Sequence, residues 1–322
     1  MGSRGLTAPD LRRRRSAVKD KLLHFWLLAG VLGCSTASET LPQDLTPNPT
    51  TPETGVCASE ENAFELQGQW AVRLELEVQG SERPDAWVTL CPENPQVGIA
   101  IAWMKLDYAA NATDGSAPHT ATVCALELPI VTAAIDNCPS DPTKYLEVRM
   151  SLGEAFRQYL PSVALTGTTY AGTETPQSAY RTEAIQFLGG QAGADDDGDG
   201  QEGVTLDFTM GGQDSGIAGS VFASFELSTL LRGQARNPRC IEGAAEVTLD
   251  YQVTDSDIYV IGNTEEMKTE EAVKNIPGLQ VLSTSTFRSL RADGEELHDF
   301  DDDDNGDISC TEIIAHASLF QR

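Results

Sequence analysis

Apolar and polar side chains alternate over residues 69–78, the pattern of a β-strand with one face in the core and the other in solvent. The same period of two recurs over 244–253. Shorter apolar segments bounded by glycine or proline predict further strands at 86–90, 99–106, 121–128, 145–150, 184–187, 204–208, 219–225, 257–261 and 283–291. About ten strands joined mainly by turns predict a mainly β fold, an antiparallel barrel or sandwich.

Helical patterns are short and few. The first covers 264–275, with Thr264 as its N-cap and Pro277 just beyond its end. The second covers 310–320 and carries apolar residues at helical spacing. Neither is long enough to alter the mainly β prediction.

The first 33 residues have the pattern of a targeting signal. A basic segment at 12–21 precedes an apolar run at 22–32, which is too short to span a bilayer comfortably. The run ends in Val-Leu-Gly before Cys34, a sequence that resembles the lipobox of bacterial lipoproteins. The resemblance implies that residues 1–33 are a lipoprotein signal peptide and that Cys34 is the lipid attachment site. Ordinary secretion and an uncleaved anchor are the alternatives.

Residues 34–60 are rich in Ser, Thr, Pro and Glu and nearly lack apolar side chains. Such a segment buries too little surface to offset its chain entropy, so we expect a lipidated tether. With the anchor, this predicts a protein held to a membrane of the cell envelope. Ser35 after the cysteine resembles the outer-membrane sorting pattern of enteric bacteria, which implies the outer membrane.

The chain is strongly acidic, with 22 Lys and Arg against 49 Asp and Glu and a formal net charge of −27. Residues 1–33 hold seven of the basic and two of the acidic residues, so the remainder carries 15 against 47, a balance of −32. Such a surface repels phosphate groups, which excludes nucleic acid as a partner. Bound divalent cations would relieve part of the self-repulsion.

Six cysteines follow Cys34 in the sequence, at Cys57, Cys91, Cys124, Cys138, Cys240 and Cys310. An even number in an exported protein predicts disulfide bonds, three if all pair. Fifteen connectivities are open for six cysteines. No pair has the spacing of a zinc site.

The strongest chemical signal is a twelve-residue acidic loop that begins at Asp301. Side chains that carry oxygen occupy its positions 1, 3, 5, 7, 9 and 12, which are Asp301, Asp303, Asn305, Asp307, Ser309 and Glu312. Gly306 stands at position 6, where the backbone must turn sharply. A hard cation needs six to eight oxygens at short range, and this spacing supplies them from one segment.

This loop resembles that of an EF-hand, which implies that 294–322 is a calcium-binding segment following a β domain at 61–293. The resemblance implies that Asp307 offers its backbone carbonyl and that Ser309 acts through water. The entering helix departs from the family, because only about six residues follow Gly294 before the loop. No partner hand is adjacent, which favours a structural clasp over a sensor. A solvated acidic turn is the alternative.

A second acidic loop places Asp195, Asp197, Asp199 and Gly200 at positions 1, 3, 5 and 6 of the same pattern. Position 12 is Leu206, so the pattern is incomplete. The loop resembles those of thrombospondin type 3 repeats, in which other segments supply the remaining ligands. A calcium site and a solvated hairpin tip are both open.

The segment Gly68-Gln69-Trp70 resembles the opening of lipocalin barrels, in which the tryptophan plugs the barrel floor. The resemblance implies a cup for a small apolar ligand. A core tryptophan on an ordinary strand is the alternative.

Sequence motifs of enzymes are missing: the chain has no HExxH, GxSxG or phosphate-binding glycine loop. We therefore expect a membrane-anchored, calcium-binding bacterial lipoprotein that is not an enzyme. It would act as a surface or periplasmic binding module for an unidentified protein or small apolar ligand, with calcium in a structural role. A lipocalin-like carrier is the alternative, and a hydrolase with an unrecognised site is a third.

Overall fold

The computed structural model describes residues 57–58, 65–91, 97–110, 115–135, 137–171, 179–190, 193–212, 215–261, 267–293 and 300–321. The predicted signal peptide, Cys34 and nearly all of the predicted tether lie outside these residues. Within this part of the chain, no helix combines the length and apolar composition that a membrane span requires.

The fold is mainly β, as the alternation predicts, and contains 14 strands in the described residues. They are β1 (Gly68–Ser81), β2 (Val88–Leu90), β3 (Val97–Tyr108), β4 (Ser116–Glu127), β5 (Val131–Ile135), β6 (Leu146–Leu152), β7 (Ala164–Ala171), β8 (Ala179–Thr182), β9 (Ile185–Gly189), β10 (Val204–Gly212), β11 (Ser215–Asn237), β12 (Cys240–Val260), β13 (Gly278–Val281) and β14 (Thr286–Arg291). Strands β5, β7, β8 and β13 were not predicted, and 257–261 is not a separate strand because it continues β12.

All strand pairs are antiparallel, and eight of the strands pair in a closed cycle. The order is β12, β14, β1, β3, β4, β7, β8 and β11, after which β11 pairs with β12 again. The other described strands extend from this cycle. Strands β10, β6, β5 and β2 continue the sheet from β11, β9 also pairs with β11, and β13 pairs with β1.

The two longest strands, β11 and β12, belong both to the cycle and to the extension. The first part of β11 pairs with β10 from Ser215 to Ala223, whereas its second part pairs with β9 and β8. The register of β11 and β12 shifts between Phe222 and Ala223, where Thr254 is the extra residue. This bulge bends the ladder at the place where β11 stops pairing with β10 and begins to pair with β9.

The main core includes the inward-facing residues of the cycle. Trp70 is fully buried there, and its indole N–H donates to the Leu66 carbonyl at 2.9 Å. Nearby, the hydroxyl groups of Tyr108 and Tyr180 lie 2.6 Å apart. Burial therefore costs these polar atoms little, because each has a hydrogen-bond partner.

Three short α-helices are described, α1 (Glu154–Tyr159), α2 (Thr269–Asn275) and α3 (Cys310–Ala315), with 3-10 helices at Pro142–Lys144, Leu160–Ser162 and Ala317–Phe320. Helix α1 was not predicted. Helix α2 ends where the sequence predicts but begins at Thr269, since Lys268 is extended and serves as its N-cap. The predicted N-cap, Thr264, lies outside the described residues. The predicted helix at 310–320 is α3 followed by a 3-10 turn.

Three disulfide bonds confirm that the six cysteines pair. They join Cys57 to Cys240, Cys91 to Cys138 and Cys124 to Cys310. Two of the three close loops of more than 180 residues, with sequence separations of 183 and 186. Bonds of that kind restrict the unfolded chain most. One of them fixes Cys57, in the range predicted as tether, to β12.

Strands β11 and β12 approach closely at a pair of glycines, Gly233 and Gly243. A Cβ atom on Gly243 would lie 2.1 Å from the Arg232 carbonyl oxygen and 2.4 Å from the Gly233 Cα. We predict that Gly243→Val lowers the free energy of unfolding by about 2 kcal/mol, because backbone atoms leave the side chain no room. Urea unfolding measures this loss.

The matched control is Ala244→Val, at the next position of β12, where the side chain is exposed. That substitution should leave the unfolding midpoint within experimental error. Equal midpoints for the two variants would show that the glycine pair is not needed.

Candidate metal centre

The C-terminal acidic loop is folded around the carboxylate of Asp301. This carboxylate accepts hydrogen bonds from the backbone N–H of Asn305 at 2.9 Å and of Gly306 at 2.6 Å. Asp304 and Gly306 have left-handed backbone angles, with φ of 56° and 82°. These angles turn the chain back on itself, which is the sharp turn that the loop pattern requires at position 6.

Three of the predicted ligands converge in the structure. Asp301, Asp303 and Glu312 each offer a carboxylate oxygen, and these oxygens lie within 4.8 Å of one another. Asp301 and Asp303 come from the loop, whereas Glu312 comes from the first turn of α3. The convergence joins the start of the loop to its end.

Helix α3 places Glu312 through a capping box. Ser309 is the N-cap: its hydroxyl accepts from the Glu312 N–H at 3.2 Å, and its own N–H donates to the Glu312 carboxylate at 2.7 Å. The other oxygen of Glu312 accepts from the Asp302 N–H at 2.9 Å. Two backbone N–H donors thus fix the position of the carboxylate.

The remaining predicted ligands take other positions. The Asn305 side-chain oxygen accepts from the Asp307 N–H at 2.7 Å. The Asp307 carboxylate turns towards β1 and β3, where it accepts from Lys105 at 2.5 Å and from Gln69 at 2.9 Å. With its side chain engaged there, Asp307 can contribute to a cation site only through its backbone carbonyl.

Sequence reasoning missed Gln69 and Lys105, the strand residues that hold the loop. Gln69 also accepts from the Ile308 N–H at 2.9 Å, so it binds two consecutive loop residues. Alternation places both side chains on the outer face of the sheet. It cannot show that a segment more than 200 residues later in the chain covers that face.

A second hydrophobic core fixes the C-terminal segment to the outside of the cycle. Its buried loop and helix residues are Phe300, Ile308, Ile313 and Phe320, and they pack with Trp103 of β3 and Leu290 of β14. The rings of Trp103 and Phe320 meet edge to face at 5.2 Å. The Cys124–Cys310 disulfide adds a covalent link from β4 to α3.

The second acidic loop also brings its three predicted ligands together. Oxygens of Asp195, Asp197 and Asp199 lie within 4.8 Å of one another. The Asp195 carboxylate accepts from the N–H groups of Gly198, Asp199 and Gly200 at 2.8, 3.1 and 2.9 Å. Among the described residues, no fourth acidic group joins this cluster.

The electrostatics of the two loops differ. The Gly306 N–H holds the pKa of Asp301 below its usual value, and hydrogen bonds from Ser309 do the same for Glu312. The bond from Lys105 likewise lowers the pKa of Asp307. In the other loop, burial raises the pKa of Asp197, although the Thr205 N–H partly opposes this. Hydrogen bonds therefore favour the charged form of Asp301 and Glu312, whereas burial disfavours that of Asp197.

Comparison with models of protein families, with curated proteins and with solved structures finds no match to this chain.

Acid should release the C-terminal loop. Because the pKa of Asp301 is lower in the folded protein than in the unfolded chain, its hydrogen bonds stabilise the loop at neutral pH and are lost as pH falls through the folded pKa. We predict that the amide resonance of Gly306 in metal-free protein shifts with a midpoint below the ordinary aspartate pKa of about 3.9. A series of NMR spectra against pH measures this midpoint.

Asp301→Asn should remove the titration, because the amide does not ionise. A midpoint at or above the ordinary value in the unsubstituted protein would show that Gly306 does not stabilise the charged carboxylate.

Proposed function

We propose that this protein is a membrane-anchored, calcium-binding bacterial lipoprotein that serves as a non-enzymatic binding module. In this proposal Ca²⁺ has a structural role and fastens the C-terminal segment to the sheet. The observation that carries it is the convergence of Asp301, Asp303 and Glu312 within 4.8 Å. The resemblance to an EF-hand loop supports the same conclusion.

The donor set fits a hard cation. Carboxylates of Asp301, Asp303 and Glu312 would supply most of the negative charge, and oxygens are the ligands that Ca²⁺ prefers. The other oxygens would come from Asn305, the Asp307 carbonyl and Ser309, the last through water. The ion would neutralise charge in a protein whose net charge is −27.

A second Ca²⁺ at Asp195, Asp197 and Asp199 is part of the proposal. Its support is the close approach of the three carboxylates and one buried, unpartnered oxygen of Asp197 among the described residues. The site would depend on water or on further groups, because Leu206 occupies the position of the closing glutamate.

The proposed anchor is acylation at Cys34, which would place the protein at the outer membrane of the cell envelope. This residue lies outside the described part of the chain, so the support is the lipobox-like sequence. The three disulfide bonds agree with export to an oxidising compartment.

We further infer that the cycle of eight paired strands is a closed antiparallel barrel, which supports the alternative of a lipocalin-like carrier. The interior cavity beside Leu74, Met104 and Phe187 is almost wholly apolar but measures about 70 Å³. Ligand pockets are usually about 300–1,000 Å³. The small cavity thus argues against the carrier, and it favours a binding module that uses its outer surface.

Calcium should stabilise the native protein. Binding to the folded state alone contributes about 1.4 kcal/mol when the free ion is at ten times its dissociation constant, a rise in Tm of roughly 3–5 °C for a body of this size. We predict such a rise in melting curves of the protein in Ca²⁺ relative to EGTA. Glu312→Gln should remove most of this rise in Tm, because the proposed metal centre loses one negatively charged ligand.

The matched control is Asp304→Asn, which removes a charge from the same loop at a position that supplies no ligand. Its left-handed φ of 56° suits asparagine. The melting curve of Asp195→Asn measures how much of the calcium effect comes from the second acidic loop. Identical melting curves in Ca²⁺ and EGTA for the unsubstituted protein would end the calcium proposal.

The anchor has its own test. We predict that Cys34→Ser moves the protein from the membrane pellet to the soluble fraction, because serine cannot carry the thioether-linked lipid. Fractionation of the expressing bacterium measures this. Cys57→Ser serves as the control, since it removes a different cysteine, and that variant should stay with the membrane. Retention of the Cys34→Ser variant would contradict lipidation.

A further inference from the structure

A groove of about 640 Å³ lies between β4 and β6, outside the main core. One wall is the end of β4 with Ile314 of α3, and the other is the polar face of β6 and β10. Its floor includes Leu126, Met150 and Leu160, which also line the interior cavity. The groove thus marks the place where the sheet of the cycle separates from the extension.

The groove is bordered by strand edges that lack partners among the described residues. Strand β7 covers β4 only from Ser116 to Thr122. Strand β5 covers β6 only from Leu146 to Val148, so residues 149–152 pair with β10 alone. Strand β5 begins at Val131, opposite Val148, and the residues before it connect to the end of β4, so β5 does not continue along the rest of β6. An open edge presents backbone N–H and C=O groups to an added strand.

Side chains beside the free edge of β6 suit an extended peptide. Ile130 and Ile314 line the groove with 45% and 43% of their surfaces exposed. Successive residues of a strand point to opposite faces, so one face of an added strand would cover these apolar groups and the other would face water.

The charge at the end of the edge identifies a further feature of the partner. Arg157 of α1 lines the groove and forms no ion pair within the described ranges, whereas Arg149 is paired with Glu147 at 2.5 Å. Although the carboxylates of Glu127 and Asp207 also line the groove, the unpaired guanidinium of Arg157 favours a carboxylate at its own end of the occupant.

We propose that this groove binds an extended peptide segment of a partner protein. The segment adds as a strand to β6 at residues 149–152, covers Ile130 and Ile314 with alternate apolar side chains, and places an acidic side chain at Arg157. This inference deepens the proposed binding module by giving its binding face and partner class, and it does not depend on calcium.

The probe is a phage-displayed library of random dodecapeptides selected against the full chain. We expect enriched sequences with alternating apolar residues and an acidic residue, and synthetic copies that bind with micromolar dissociation constants. Ile130→Asp should weaken binding at least tenfold. Ile135→Asp, at a similarly exposed isoleucine of β5 that does not line the groove, should leave binding unchanged.

Arg157→Glu should also weaken binding at least tenfold, and a peptide with lysine in place of its acidic residue should restore it. Backbone pairing has its own signature, because every second N–H of an added strand points to β6. N-methylation of the peptide at one alternate set of positions should abolish binding, and methylation of the other set should leave it intact.

Each variant is first compared with the unsubstituted protein by melting curve and circular dichroism. The proposal is overturned if no peptide is enriched, if Ile130→Asp and Arg157→Glu both bind as before, or if N-methylation has no alternate effect. The binding assay is run in Ca²⁺ and in EGTA. Peptide binding without any calcium effect on melting would overturn the metal proposal and leave this one standing.

Discussion

Strands β11 and β12 stay paired from Ile217 and Val260 to Asn237 and Cys240, and this one ladder serves two parts of the sheet. Near the turn between the two strands, where Gly233 pairs with Gly243, the ladder completes the cycle of eight strands. Beyond the bulge at Thr254 it carries β10 and, through it, β6, β5 and β2. Without this ladder the cycle would be open and the extension would have no support.

In a chain with a net charge of −27, Lys and Arg are too few to pair with every carboxylate. In both acidic loops the backbone provides the donors: three N–H groups bind Asp195, and two bind Asp301. Neutral donors can fix the geometry of a carboxylate but cannot cancel its charge. Repulsion among three converging carboxylates therefore persists, and the proposed cation would reduce it.

The sequence predicts most of the local structure where one residue period dominates. The alternation over 69–78 gives β1 nearly in full, and the cysteine count gives three disulfides. Strand β11 is predicted only over 219–225, because its later part mixes Ser, Thr, Gly and Arg with apolar residues and has no clear period. There the pairing with β12 decides the conformation, and pairing between distant segments is a tertiary effect.

In the acidic loops, too, the sequence predicts local features but not contacts between distant segments. Ligand spacing within twelve residues is local, and the carboxylates of Asp301, Asp303 and Glu312 lie close together in the structure. Gln69 and Lys105 bind the loop from strands that precede it by more than 200 residues, and no local pattern marks them. The cysteine count likewise leaves the partner of Cys310 open until the fold brings β4 beside α3.

Helix α3 connects the proposed C-terminal calcium site to the proposed peptide groove through opposite sides of a single turn. Glu312 points to the carboxylate cluster, whereas Ile314 faces the groove; two residues apart on a helix are rotated by about 200°. The helix is also bonded to β4 through Cys124 and Cys310. Since that bond joins the two elements of one groove wall, the wall would keep its composition if acid released the loop. The ion would then set the order of the loop, and the disulfide would keep α3 at the groove.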